Sequence, residues 1–123
     1  MKEPAIDDEL LMRGIELFNR ADYFDAHEVL EDVWRDSASG DARRHLQGLV
    51  QLAVAFHHES RDNCVGARSV LDRALRNLAG AEGSLPELDL DRLRAELANW
   101  REHLSGACPR PAPPRVVRRD RMR

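Results

Sequence analysis

The stretch Asp22-Tyr23-Phe24-Asp25-Ala26-His27-Glu28-Val29-Leu30-Glu31-Asp32-Val33-Trp34 decides the fold. Tyr23, Ala26, Leu30, Val33 and Trp34 recur at the helical period of about 3.6 residues, so the stretch predicts one amphipathic helix with Asp22 as its N-cap. Upstream, residues 7–20 place Leu11, Ile15 and Phe18 on one face. The connection between the two segments is so short that they make a helical hairpin. Downstream, Ser37-Ala38-Ser39-Gly40 breaks the pattern, and a third helix is predicted over 41–60. Its Leu46, Leu49, Val50, Ala53, Val54 and Phe56 cover most of the circumference, and a helix apolar on nearly every side is central.

Asn63 is the expected cap of a fourth helix that presents Ala67, Val70, Leu71, Ala74, Leu75 and Leu78 to the core. After Ser84-Leu85-Pro86 a fifth helix carries Leu90, Leu93, Leu97, Trp100 and Leu104. That spacing packs on a bundle, and it allows without requiring a homodimer seam. A weak internal echo at an offset of 41 residues pairs Asp22 with Asn63, Ala26 with Ala67, Val29 with Val70 and Leu30 with Leu71. The chain therefore reads as all-α, a single-domain bundle of about five helices built from two helical hairpins plus a C-terminal helix. The bundle spans 1–105, and Pro109, Pro111, Pro113 and Pro114 among arginines make 106–123 a flexible or polyproline-like tail.

Composition narrows the function classes. A chain of 123 residues suits one core that needs neither disulfides nor metal. Cys64 and Cys108 sit in unlike contexts, which suits reduced thiols rather than a disulfide framework. No apolar run reaches the roughly 18 residues of a membrane span, and Met1-Lys2-Glu3-Pro4-Ala5 lacks the apolar core of a secretory signal. A cytoplasmic protein is expected. The net charge of -3 hides an asymmetry, because residues 106–123 hold six arginines against Asp120 while the rest has 13 basic and 21 acidic residues. Such an acidic body disfavours nucleic acid, and the basic tail either attracts an anionic surface or folds back on its own domain.

Taken together, Phe18-Asn19, the run Tyr23 to Glu31 with Trp34, Leu46-Gln47-Gly48-Leu49-Val50-Gln51-Leu52-Ala53 with His57, and Asn63 with Gly66-Ala67 resemble the family called domain of unknown function 309. The resemblance covers roughly residues 14 to 78 and implies a compact helical bundle. It brings no activity, substrate or catalytic residue.

The candidate site follows from the polar groups inside the apolar stripes. Tyr23, His27, Glu31, Gln47, Gln51 and His57 are expected to form one polar cluster between the second and third helices, held by mutual hydrogen bonds. Gly48 is expected to mark the crossing of those two helices, because glycine inside a helix costs about 1 kcal/mol against alanine unless close approach benefits. Trp34 is expected to pack in the core or at its rim, or, if exposed, to anchor a partner. On this reading the protein is an interaction or scaffold module with an unknown protein partner and no cofactor. The alternative is a metal-dependent hydrolase. His27-Glu28-Val29-Leu30-Glu31 is one residue from the zinc pattern His-Glu-x-x-His, so His27, Glu31, His57 and His58 are candidate ligands for zinc or iron and Glu28 is the candidate base.

Overall fold

The computed structural model describes residues 6–38, 40–106 and 109–119. Five α-helices follow one another, α1 (Asp8–Asn19), α2 (Tyr23–Arg35), α3 (Asp41–Ser60), α4 (Cys64–Asn77) and α5 (Leu90–Leu104), with a 3₁₀ turn at Ala81–Gly83. No strand element occurs among the described residues. Helix α3 lies in the middle, packed on α2 and α4, while α1 leans on α2 and α5 on α4. Its centrality follows from composition: Leu46, Leu49, Leu52, Ala53, Ala55 and Phe56 are all buried, so most of the circumference of α3 is kept from water.

The two hairpins share one turn, and the offset of 41 residues holds in its hydrogen bonds. The Asp22 N–H donates to the Leu17 carbonyl and the Ala21 N–H to Phe18, while the Asn63 N–H donates to His58 and the Asp62 N–H to Glu59. Each is the double bond of a Schellman stop, which needs a left-handed residue at its corner. Ala21 has φ of 65° and Asp62 of 63°. An aspartate tolerates that region, whereas a Cβ on alanine is penalised by about 1 kcal/mol. Ala21→Gly is therefore expected to raise the melting temperature by a few degrees; a fall would show that the unfolded-state entropy of glycine outweighs the relief.

Capping differs between the hairpins. Asn63 Oδ1 accepts from the Gly66 N–H at 2.9 Å, as expected, but the Asp22 side chain makes no cap bond; its carboxylate faces Arg20 at 3.8 Å instead. A Cβ on Gly66 would come within 2.6 Å of the Asn63 amide, which explains why a glycine follows this cap.

Two other glycines let helices approach. At Gly14 a Cβ would lie 2.7 Å from Leu30 of α2, and at Gly48 it would lie 2.8 Å from Leu78 and 3.3 Å from the Ala74 carbonyl oxygen. The crossing at Gly48 is thus with α4 and its end, not with α2 as the sequence suggested. A helix apolar all round does not encode which neighbour takes which side. The leucines of α5 are spent on the chain's own core, since Leu90, Leu93, Leu97 and Trp100 are all buried. Leu104, at the end of that helix, is half-buried.

Of the alternatives for the basic tail, residues 109–119 take the one that folds back on the chain's own domain. Residues 109–119 run as an extended strap across the bundle, with Pro114 and Val116 buried. The Asn19 amide donates to the Val116 carbonyl at 2.9 Å and accepts its N–H at 2.8 Å. Trp100 Nε1 donates to the Ala112 carbonyl at 2.9 Å, and the Asp89 N–H donates to Val117 at 2.9 Å. Prolines exclude helix but not docking, because an extended segment can have its backbone groups paired by side chains. Cys108 and residues 120–123 lie outside the described residues.

Candidate interaction face on the second and third helices

Helix α2 turns Tyr23, Ala26, Leu30 and Val33 inward. The residue after Tyr23 is rotated by about 100°, which carries Phe24 out of the core, and it is 53 % exposed. The other two phenylalanines, Phe18 and Phe56, are buried. His27, one turn along, and His57 of α3 flank the Phe24 ring at centroid distances of 6.2 and 5.8 Å. With Val54 these three side chains line an open cleft of about 200 Å³. A second depression of about 240 Å³ continues from Phe24 and His57 past Asp22, Asp25 and Ser60. The face is apolar at its centre and acidic at its rim, where Asp25 and Glu28 are exposed.

The expected polar cluster is not assembled as a unit. Gln51 accepts from the Asn77 amide of α4 at 2.8 Å, and Gln47 is exposed; both therefore sit away from α2. Glu31 stands 3.8 Å from His27 and 3.2 Å from Arg35, so its carboxylate is held along its own helix. Tyr23 belongs to the aromatic core, 5.4 Å from Phe18 and 5.8 Å from Phe56, and burial, followed by the nearby Glu59 carboxylate, raises its pKa. His58 Nδ1 lies 3.3 Å from the Asn63 amide, within the second hairpin's turn. His27 and His57 are the members brought together across α2 and α3. Among the described residues no three histidine, cysteine, aspartate or glutamate side chains converge as a metal site would require. Glu28 is exposed on α2, and it does not line the Phe24 cleft.

The model of the family described as domain of unknown function (DUF309) matches residues 11–70. Residues 11–70 are similar to that family. The DUF309 segment thus contains most of α1, all of α2 and α3 and the first half of α4, together with the whole Phe24 cleft. An uncharacterised protein of Bacillus subtilis (strain 168), YpuF, is 34 % identical over 80 residues, 65 % of this chain and 46 % of that protein. An uncharacterised protein of Aquifex aeolicus (strain VF5) is 29 % identical over 89 residues, 72 % of this chain and 27 % of its own length. The chain therefore matches less than half of either curated relative.

Trp34 of the DUF309 segment is half-buried beneath Arg43, whose guanidinium lies 4.2 Å from the ring centroid and donates to the Trp34 and Ser37 carbonyls at 3.0 and 3.1 Å. Arg43 thereby closes the end of α2 onto α3, a role no helical period announces. The sequence reading also missed His45. It is 3 % exposed, its Nδ1 lies 2.7 Å from Ser84 Oγ, and Arg44 approaches Nε2 at 3.3 Å. A larger cleft of about 420 Å³, lined by Leu11, Met12, Leu85, Leu88 and Arg118 among others, opens beside Ser84.

Burial first, then the Arg44 charge, lowers the His45 pKa. The unfolded chain binds the proton more readily, so stability rises with pH through the window between the lowered folded value and about 6.5. It is fully present above that window. Acidification from pH 7.5 to 5.5 is expected to lower the urea midpoint of the wild type more than that of His45→Gln. Equal shifts in the two proteins would remove His45 from the account.

Proposed function

We propose that this protein is an interaction or scaffold module that engages a protein partner through the Phe24 face of α2 and α3. The observation that carries the reading is the half-exposed Phe24, set between His27, Val54 and His57. Exposing an aromatic ring forgoes roughly 1.5 to 3 kcal/mol that burial would supply, and aromatic residues in shallow clefts are the usual anchors of protein contacts. The exposed Asp25 and Glu28 beside it favour a partner surface with basic residues. The polar residues of α2 and α3 serve helix ends and helix contacts on this reading, and no metal takes part.

Photo-crosslinking tests the face directly. A photoreactive phenylalanine at position 24 is expected to capture one discrete partner in cells. The same group at Val65, the other exposed large apolar side chain among the described residues, serves as the control, and equal, diffuse labelling from both positions would sink the proposal. For the metal, elemental analysis of untagged protein is expected to find less than stoichiometric zinc and iron, and a chelator is expected to leave the melting curve in place. A chelator-induced drop would restore the hydrolase alternative. No described helix is long and apolar enough to cross a membrane, and we take the cytoplasm as the place of action.

A further inference from the structure

The strap sits on the bundle as a bound peptide sits on a receptor. Its backbone is read at Ala112 by Trp100 Nε1, at Arg115 by Glu96 Oε1 at 3.1 Å, at Val116 twice by the Asn19 amide, at Val117 by the Asp89 N–H and at Arg119 by the Glu87 carbonyl at 2.7 Å. Leu88 and Arg118 form an antiparallel bridge. Side chains add selectivity. Pro114 and Val116 are buried, and the Arg110 guanidinium makes two bonds to Glu59 at 3.0 and 3.2 Å while lying 5.3 Å from the Trp100 ring centroid. Backbone pairing along an extended segment and a bidentate arginine are devices by which proteins bind segments of other chains.

We propose that this groove is a self-recognition site, which takes residues 109–119 of a second copy of the chain as well as its own and so forms a strap-exchanged homodimer. The occupant is named by these contacts, because Glu59 is matched to Arg110 and Asn19 to the Val116 backbone of this very segment. Every contact made within one chain can be remade between two, and exchange of an identical element is a low-cost route to a dimer. The charge balance agrees, since the strap is basic and Glu59, Glu87 and Glu96 belong to the acidic body. A short tether holds a chain's own strap at an effective concentration on the order of millimolar. The dimer accordingly gains population when copies are concentrated to that level. This inference is independent of the Phe24 face.

Isotope-filtered NMR on the full chain tests it. In a mixture of labelled and unlabelled protein at millimolar concentration, cross-peaks are expected between Val116 methyls of one chain and Trp100 or Asn19 protons of another. A complementary pair gives a second readout. One partner carries Arg110→Glu and Val116→Asp, which spoil the strap, and the other Asn19→Ala and Glu59→Lys, which spoil the groove. Each alone is expected to sediment as a monomer, and an equimolar mixture as a 1:1 dimer. Either signal supports exchange, and if a variant fails to fold the NMR result alone decides. Absence of intermolecular cross-peaks, with any folded pair remaining monomeric when mixed, overturns the proposal.

Discussion

Trp100→Ala is expected to be the most damaging single substitution, lowering stability by about 3 to 5 kcal/mol, a large share of the 5 to 15 kcal/mol typical of a domain. The indole is 1 % exposed, meets Phe56 edge to face at 5.0 Å and holds the strap through the Ala112 carbonyl. Two losses therefore coincide, the apolar filling between α3 and α5 and one anchor of residues 109–119. Trp100→Phe separates them. It keeps most of the hydrocarbon but drops the hydrogen bond, so a cost of about 1 kcal/mol is expected, with faster tryptic cleavage at Arg115 and Arg118. Urea midpoints and digestion rates measured together check both variants. An alanine variant that unfolds with the wild type would show that the indole does not join strap to core.

The second large effect is expected at Gly48. Leucine there must displace Leu78, which is fully buried, and crowd the Ala74 carbonyl. Overpacking of this kind costs about 1 to 3 kcal/mol, occasionally more, and the helix gains back roughly 1 kcal/mol when glycine is replaced. Backbone contact cannot be relieved by a rotamer change, so we expect the upper end of the overpacking range to prevail and the melting temperature to fall by roughly 10 °C. Gly48→Ala should be the milder of the two, because its single methyl meets Leu78 Cγ at 2.8 Å and the Ala74 carbonyl oxygen at 3.3 Å but adds no further atoms to be housed. Calorimetry on the pair tests the crossing; a leucine variant as stable as the alanine one would mean that α3 and α4 have room to spare.

Helix positions and the hairpin plan were legible because their causes are local. The stripe Tyr23, Ala26, Leu30, Val33 specifies α2, Asn63 specifies the start of α4, and the offset of 41 residues anticipates a turn repeated bond for bond. What could not be read was direction. Gln47 and Gln51 are one helical turn apart, a spacing that says they share a flank but not that the flank looks toward Asn77 and solvent rather than Glu31. Gly48 announces a close approach without naming Leu78 as its cause. His45 sits on the same apolar helix, and its partner Ser84 lies in a distant turn. The strap was the hardest case, since Asn19 and Val116 are separated by 97 positions and nothing near either residue advertises the other.

The paired turns at Ala21 and Asp62 close contacts between near neighbours, so both hairpins are able to form on the microsecond scale typical of local structure. The bond between Asn19 and Val116 has no such head start. During synthesis at roughly 5 to 20 residues per second, the first hairpin leaves the ribosome several seconds before Val116 is made. A nascent chain therefore passes through an interval in which its helices are standing and its closing clasp does not yet exist.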